Sequence, residues 1–426
     1  MSDDGSIHQT QLSARCCIVG GGPAGMMLGY LLGRAGIDTI ILEKHADFLR
    51  DFRGDTVHPS TMAVMDELGL LEKFLQRPHQ KITQLNGRFS RTSYRIADMS
   101  RLRTVAPFIA FMPQWEFLDF LADEMARYPH VQIMRRTEVV DLKRDGETIT
   151  GVRARAPDGD IEVSADLTVG CDGRHSIVRA KAGLAVDDIG APIDVLWFRV
   201  GKTAPSGEPA MIRADAGHLM VTLDRDTYWQ CAFVIPKGQI EGLKSHGLPA
   251  FKTAVCQLAP DLLTHIDDIK DWDDVKLLTV TIDRLTKWSM PGLLCIGDAA
   301  HAMSPVGGVG INLAIQDAVA TANILAAKLQ RGAVSEADLD AVRARRLFPA
   351  RIVQAVQVQV QNRLLTPALA ATTTDFKPPL MVRIISKCPV LQGLMARFVG
   401  LGVRPEHVHS PTSFSPLPLR ERVDRT

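Results

Sequence analysis

The sequence lacks the features that mark a metal site, a disulfide framework or a nucleic-acid partner. Its seven cysteines form no CxxC pair and show no Cys/His spacing of a metal site. Basic residues number 49 against 48 acidic ones, and no long basic run stands out. Five cysteines lie in apolar, strand-like runs, where a free thiol behaves as a small hydrophobe: Cys16, Cys17, Cys171, Cys231 and Cys295. We therefore predict a reduced, cytoplasmic chain with no bound metal and no nucleic-acid partner.

Long hydrophobic runs are also missing. No stretch approaches the roughly 18–20 apolar residues of a membrane span, and the polar N-terminus has no signal-peptide core. The nearest stretch, residues 380–403, is broken by Arg383, Lys387, Pro389 and Arg397. We predict an amphipathic helix pair packed on the body there, with interfacial membrane binding as the alternative. The last twenty or so residues are rich in proline and charge, which predicts a loose tail.

The N-terminal part carries a strand, a glycine-rich turn and a helix. RCCIVG is an apolar strand, and GGGPAG follows it with Gly20, Gly22 and Gly25 in GxGxxG spacing. A second buried strand, TIIL, ends at Glu43, which lies 18 residues after Gly25. Such a βαβ unit brings backbone N–H groups to a pyrophosphate and an acid to a ribose hydroxyl. The context predicts dinucleotide binding.

Two further motifs repeat the arrangement of a strand end followed by a helix start. In mid-chain, a buried strand over residues 166–170 leads into CDGRHSIVR, which contains Asp172 and Arg179. Near residue 300, an apolar run leads into GDAAHAMSPVGGVG and a helix from about Ile311. The glycines let backbone approach a flat or anionic group, and the helix start favours negative charge. A plain strand–turn–helix with glycines for close packing is the structural alternative.

The segments between these motifs read mainly as strands. Residues 81–110 predict short strands with a turn at Asn86-Gly87, and residues 131–163 predict a β-meander. Residues 189–281 are mostly β, with a hairpin joined at 224–226. In its second strand Tyr228, Gln230, Ala232 and Val234 share one face, and one face must cover something apolar.

The order and spacing of the three motifs resemble the class A FAD-dependent aromatic hydroxylases, the p-hydroxybenzoate hydroxylase-like group. The resemblance covers roughly residues 14–365, and the tail resembles short members without a thioredoxin-like domain. It implies an α/β fold with a Rossmann-like FAD-binding domain, an interleaved β-sheet substrate domain and C-terminal helices. The implied divisions are FAD-binding segments 1–80, 111–185 and 283–340, substrate-domain segments 81–110 and 186–282, and a C-terminal helical region with tail over 341–426.

The resemblance also assigns roles to individual residues. It implies that Gly20, Gly22, Pro23, Ala24 and Gly25 meet the FAD pyrophosphate, and that Glu43 binds the adenosine ribose. Other FAD contacts implied in this way are Arg53, Gln114, Val139, Asp172, Arg179, Asp298, Gly310, Ile311 and Asn312. From the residues alone, Arg53 could equally form a surface salt bridge. Pro305 would face the substrate with its carbonyl, and Asp55 would lie beside the flavin ring, with a catalytic role assigned as a hypothesis.

The chemistry implied is monooxygenation with tightly but non-covalently bound FAD. NADPH or NADH would bind transiently and reduce FAD, and O2 would give a C4a-hydroperoxide that hydroxylates an aromatic or other electron-rich small molecule. Candidates for substrate contact are Trp197, Met220, Tyr228 and Gln230, although such residues on strands are more often core. The protein would be a monomer or a homodimer and would not bind a membrane.

Two other functions remain open at the sequence level. A reductase or dehydrogenase of the same fold would oxidise NAD(P)H independently of O2. A non-catalytic FAD-binding protein could dock on a membrane through residues 380–403. A flavin halogenase is disfavoured because no WxWxIP stretch occurs.

Overall fold

The computed structural model describes residues 10–49, 56–203, 210–215, 217–332, 334–371 and 377–413. The strands are β1 (Thr10–Val19), β2 (Thr39–Glu43), β3 (Thr56–Val57), β4 (Gln80–Ile82), β5 (Gln84–Phe89), β6 (Thr92–Asp98), β7 (Ile109–Phe111), β8 (Val131–Arg135), β9 (Glu138–Asp145), β10 (Thr148–Ala156), β11 (Gly159–Gly170), β12 (Val186–Asp188), β13 (Ile193–Gly201), β14 (Ala210–Asp215), β15 (His218–Asp224), β16 (Tyr228–Pro236), β17 (Lys276–Leu278), β18 (Asp283–Leu285), β19 (Ser289–Met290) and β20 (Leu293–Cys295). The helices are α1 (Pro23–Arg34), α2 (Pro59–Glu67), α3 (Leu71–Phe74), α4 (Gln114–Met125), α5 (Ile177–Lys181), α6 (Ile240–Ser245), α7 (Leu248–Leu258), α8 (Gly310–Gln330), α9 (Glu336–Val360), α10 (Thr366–Ala370), α11 (Leu380–Lys387) and α12 (Pro389–Gly400).

The larger sheet has a parallel centre in the order β20-β11-β1-β2-β8. Its strands are continuous apolar runs because helices, including α1 and α8, cover them. Parallel strands end at the same edge, so β1, β2, β11 and β20 deliver all three motifs to one side of the sheet. The predicted α/β fold is confirmed.

The predicted β-meander is partly wrong. Val131–Arg135 pairs in parallel with β2, and only β9, β10 and β11 form antiparallel neighbours. A parallel partner requires a crossover, and α4, which packs on α1, supplies it. The apolar run 161–163 and the run 166–170 are one continuous strand, β11, that pairs with β1 along its length.

The second sheet is seven-stranded, in the order β17-β13-β16-β15-β14-β5-β6. The hairpin predicted at residues 224–226 joins β15 to β16. The turn predicted at Asn86-Gly87 is wrong, because Gly87 lies within β5 and pairs with both Tyr94 and Ile212. The β5–β6 turn is instead at Ser90-Arg91, where Ser90 has a φ of 51°.

The C-terminal helices complete the fold. A π-helical turn, Gln361–Leu365, follows α9, and α11 and α12 pack on β6. Part of the predicted loose tail is fixed: Glu67 accepts the Val408 N–H at 2.7 Å, and Ser413 donates its N–H to the Arg34 carbonyl at 3.1 Å. Among the described residues, the stretch Val306–Gln330 has the length and hydropathy of a membrane span, but 72% of its most apolar window is buried, as in a core helix.

Candidate functional site

The glycine turn after β1 is shaped for close backbone contact. Gly20 has a φ of 106°, and a Cβ on Gly25 would lie 2.0 Å from the Gly20 carbonyl oxygen. A Cβ on Gly22 would meet no atom within 4 Å, so the side facing away from the sheet is open. Pro23 and Ala24 begin α1, whose first turn contains no acidic residue. The free N–H groups there can hold an anion.

Glu43 lies directly beside this turn. Its carboxylate accepts the Gly21 N–H at 2.9 Å and the His45 N–H at 3.0 Å, and the residue is buried. The end of β2 therefore fixes an acceptor next to the start of α1. A carboxylate has lone pairs beyond those two bonds, so it can also accept from a ribose hydroxyl.

The mid-chain motif abuts the glycine turn. Cys171 donates its N–H to the Val19 carbonyl at 2.7 Å, and a Cβ on Gly20 would lie 2.5 Å from the Cys171 oxygen. Asp172 accepts from the Ser176 hydroxyl at 2.6 Å and the Val178 N–H at 3.1 Å, so it caps α5. Burial raises the pKa of Asp172, although these hydrogen bonds oppose the shift.

Arg179 is held by the protein itself. Its guanidinium pairs with both oxygens of the buried Asp283 at 3.2 and 3.0 Å, and it reaches the Ala299 carbonyl at 3.5 Å. The arrangement ties α5 to the turn after β20. The predicted cofactor contacts of Asp172 and Arg179 therefore stay predictions, and each residue has a clear structural task.

The GDAAH turn meets the glycine turn from the other side. A Cβ on Gly297, whose φ is 62°, would lie 3.2 Å from the Ala24 Cβ. Asp298 follows with an exposed side chain. Protein atoms nevertheless surround its carboxylate closely, and this burial raises the pKa of Asp298, while the charge of His301 opposes the shift. The Asp298 side chain is thus within reach of solvent, where it can accept hydrogen bonds from a ligand.

A buried ionic network holds the GDAAH turn from behind. Asp317 of α8 accepts the Gly297 N–H at 3.0 Å and His301 Nε2–H at 2.6 Å. Its other oxygen accepts from Arg346 Nε at 2.8 Å, and Arg346 also pairs with Glu406 at 3.1 Å. Burial alone would raise the pKa of Asp317, but His301 and Arg346 outweigh it and hold the pKa below its usual value. The sequence prediction missed Asp317 and Arg346, because helical spacing alone marks them as surface charges.

The Pro305 loop leads into α8. Gly307 and Gly308 have φ values of 82° and 63°, and the Gly308 N–H donates to the Pro305 carbonyl at 3.0 Å. Gly310 opens α8, a Cβ there would meet no atom within 4 Å, and the first turn holds no acid. Ile311 continues this turn. The helix start is therefore open and electropositive.

Asn312 anchors the start of α8 with its side chain. Its Oδ1 accepts the His58 N–H and the Thr61 hydroxyl, both at 2.8 Å, and its Nδ2 donates to the Thr56 carbonyl at 3.0 Å. The side chain is thus engaged inside the protein. Only the backbone at this position is available for the flavin contact that we predicted.

The structure says less about the remaining predicted FAD contacts. Gln114 is the first residue of α4, and Val139 is a buried residue of β9 opposite Ala154. Their predicted roles in FAD binding stay predictions. Arg53 and Asp55 lie outside the described residues.

The substrate candidates divide between the two faces of the seven-stranded sheet. The inner face contacts Val306 of the Pro305 loop and carries Trp197, Val221 and Ala232. Tyr228 and Gln230 alternate in register with Ala232 and share this face. Gln230 is buried and accepts from Arg225 Nε at 3.0 Å, whereas Tyr228 is half-buried under the Arg199 guanidinium.

Met220 does not belong to this group. It is fully buried in the cluster that joins Phe233 to Phe251 of α7 on the opposite, outer face. The register pairs Met220 with Phe233, and neighbours directly across a ladder lie on the same face. Met220 therefore lies on the face opposite Trp197, Tyr228 and Gln230, and its predicted substrate contact is incompatible with a pocket on the inner face.

Comparison with known proteins agrees with this geometry. Residues 13–356 match the family described as FAD binding domain. The chain is 30% identical over 393 residues to 6-methylpretetramide 4-monooxygenase of Streptomyces rimosus, covering 89% of this chain and 91% of that protein. Rifampicin monooxygenase of Streptomyces venezuelae is 27% identical over 398 residues, covering 91% and 78%.

The fold is also that of a solved monooxygenase. The p-nitrophenol 4-monooxygenase of Pseudomonas putida superposes with a TM-score of 0.75 at 20% identity, covering 93% of this chain and 100% of that one. The resemblance stated from the three motifs is thereby confirmed. The chain belongs to the FAD binding domain family, in the p-hydroxybenzoate hydroxylase-like group of FAD-dependent monooxygenases.

Proposed function

We propose that the protein uses NADPH or NADH and O2 to hydroxylate an aromatic small molecule on a tightly, non-covalently bound FAD. The observation that carries this is the meeting of two open, acid-free helix starts, those of α1 and α8, at one sheet edge. Glu43 and Asp298 stand beside them as hydrogen-bond acceptors. The inner face of the seven-stranded sheet packs against Val306 of the Pro305 loop.

The residues present fit FAD. The open space over Gly22 suits a pyrophosphate, and the N–H groups that begin α1 would hold it. Glu43 would accept a hydrogen bond from the adenosine ribose. The solvent-exposed carboxylate of Asp298 would accept one from the ribityl chain. Bound FAD supplies hydride acceptance and oxygen activation.

The chain contributes charge stabilisation and exclusion of water. The α8 start, from Gly310 to Asn312, would stabilise negative charge on the ring edge through its backbone N–H groups. Trp197, Val221 and the helix α12 residues Met395 and Val399 form an apolar cluster that would keep water from the reacting substrate. Pro305 would face the substrate with the second lone pair of its carbonyl. Only one nucleotide-binding βαβ unit is readable, so the nicotinamide cofactor would bind transiently.

The proposed substrate is an aromatic compound with an electron-rich ring. The support comes from the apolar inner face and from the activities of two relatives, 6-methylpretetramide 4-monooxygenase and rifampicin monooxygenase. We further propose a cytoplasmic monomer or homodimer. The domain divisions predicted from the sequence form part of this proposal, since the two large sheets alternate along the chain in the same order.

The test is anaerobic flavin reduction by NADPH and by NADH across phenols, quinolones and aromatic polyketides. We expect a yellow protein whose flavin is reduced faster with one ligand class, and transfer of labelled oxygen from O2 to that ligand. A colourless protein that ignores added FAD would contradict the proposal. NAD(P)H oxidation that needs neither O2 nor an aromatic would identify a reductase instead.

A further inference from the structure

Three glutamines form a buried row at the C-terminal end of α9 and the start of the π-helical turn that follows it. Gln354, Gln357 and Gln361 are spaced three and four residues apart, so they share one helix face, and they are 1%, 3% and 0% exposed. Glutamine is mostly found at the surface, and its buried amide is unfavourable unless it is hydrogen-bonded. We call these three residues the glutamine row.

The glutamine row binds the segment that carries Pro305. Gln357 pairs with Ser304 in both directions: its Nε2 donates to the Ser304 carbonyl at 2.9 Å, and its Oε1 accepts the Ser304 N–H at 3.1 Å. The same Nε2 donates to the Val306 carbonyl at 3.0 Å. Gln361 donates to the Ser304 hydroxyl at 2.8 Å, and Gln354 to the Ala302 carbonyl at 3.0 Å.

An amide side chain suits this task for a chemical reason. The segment from Ala302 to Val306 is buried at Ser304 and belongs to no strand, so its N–H and C=O groups need partners from elsewhere. Only an amide both donates and accepts like a peptide group. Gln357 therefore replaces the strand neighbour that the segment lacks.

The row is continuous with the inner face of the substrate sheet. The π-helical turn begins at Gln361, and its Leu364 and Leu365 pack in the same cluster as Val306 and Ala232. A π-turn inside a helix frequently marks a functional site. One helix thus contacts both the loop beneath the substrate and the sheet above it.

We propose that Gln354, Gln357 and Gln361 are positioning residues that set the distance of the Pro305 loop from the substrate face, and thereby the fraction of reducing equivalents that reaches product. This rests on the proposed function. A loop that shifts by a fraction of an ångström alters the alignment of reacting groups and admits water. Electrons from NAD(P)H would then reduce O2 to hydrogen peroxide without hydroxylating the substrate.

The decisive variant is Gln357→Leu, which keeps the size of the side chain and removes all three of its bonds. Gln359→Leu is the matched control, because Gln359 is exposed on the same helix. Three quantities are measured: amide hydrogen exchange of residues 302–308 without substrate, the dissociation constant of FAD, and product and peroxide formed per NAD(P)H consumed.

We expect exchange in residues 302–308 to rise about tenfold in Gln357→Leu and to stay unchanged in Gln359→Leu, as for the loss of one net buried hydrogen bond. FAD affinity should stay within about twofold, while the peroxide fraction rises several-fold in the first variant alone. Gln361→Leu, which removes a single bond, should show the same changes more weakly and serves if Gln357→Leu does not fold.

Unchanged exchange in a folded Gln357→Leu protein would overturn the proposal, as would equal effects in Gln359→Leu. Faster exchange with unaltered peroxide yield would also overturn it, since the row would then be structural only. If the wild type consumes no NAD(P)H with any aromatic, the proposed function fails, and the exchange data still report whether the row holds the loop.

Discussion

His58 should make the protein sensitive to mild acid. The side chain is fully buried behind the α8 start, and Nδ1–H donates to the Val399 carbonyl at 2.8 Å, which requires the neutral ring to carry its proton on Nδ1. Burial lowers the pKa of His58 to about 4, only partly opposed by the Val399 bond. No charged side chain contributes to this shift.

The sign and size follow from proton linkage. The unfolded chain binds the proton with the ordinary pKa of 6.5 and the folded chain with a pKa of about 4, so acidification through 6.5 favours unfolding. Between about pH 7.5 and about pH 5, titration of this one group lowers the free energy of unfolding by about 2 kcal/mol. That is a large share of a net stability of about 5–15 kcal/mol.

The assay is urea unfolding at both pH values for the wild type and His58→Asn. Asparagine can still donate near the Nδ1 position, but it does not titrate. We expect the stability difference between the two pH values to shrink by about 2 kcal/mol in the variant, whatever its absolute stability. His246→Asn is the control, because exposed His246 also places Nδ1 at a carbonyl, that of Gly242, at 2.8 Å. Equal pH dependence in wild type and His58→Asn would refute the reasoning.

Three further predictions concern the site. Gly25→Ala should lower the free energy of unfolding of the apoprotein, because its Cβ would lie 2.0 Å from the Gly20 carbonyl oxygen. Gly22→Ala should unfold like the wild type, since its Cβ would enter open space, and FAD titration should show a lower affinity. Glu43→Gln should weaken FAD binding about tenfold, because the ribose hydroxyl would lose a charged hydrogen-bond acceptor, and exposed Glu147→Gln should not, as fluorescence titration of the apoprotein would show. Asp317→Asn should cost about 3–5 kcal/mol in urea unfolding, because the buried Arg346 guanidinium loses one of its two anionic partners, against less than about 1 kcal/mol for Asp340→Asn in the exposed pair with Arg343. Similar losses of stability in Asp317→Asn and Asp340→Asn would mean that the buried charges around Asp317 contribute no more than those of an exposed ion pair.

The parallel sheet and its three motifs were predictable because their signals are local. Each motif is an apolar run followed at once by glycine or an acid, and parallel topology brings such ends to one edge without further information. Register is a longer-range property. Asp224 pairs with Trp229, which sets Met220 opposite Phe233, and a shift of one residue would have turned Met220 to the inner face. The length of the hairpin loop between β15 and β16 sets this register, and the composition of residues 224–228 does not reveal that length.

Residues that hold the site from behind were not predictable for a different reason. Asp317, Asn312 and the glutamine row lie on helices whose spacing reads as an ordinary amphipathic pattern. The partners named above are 16 to 256 residues away, as for Asp317 with His301 and for Asn312 with Thr56. Similarly, Asn86-Gly87 reads as a turn, yet Gly87 is in a strand where a Cβ would press on Phe89 at 3.0 Å.

These supporting contacts share one physical logic. The GDAAH turn is held by the Asp317 carboxylate, the α8 start by the Asn312 amide, and the Pro305 segment by the glutamine row. In each case a side chain on a helix binds backbone from the interior side. In the proposed function, backbone N–H groups at the α8 start would face the ligand, with their charge fixed before the ligand arrives. Helices α8 and α9 would then set the cofactor edge, while the substrate would meet side chains on a separate sheet. Substitutions on the inner face should consequently change which aromatic is bound without changing how FAD is held.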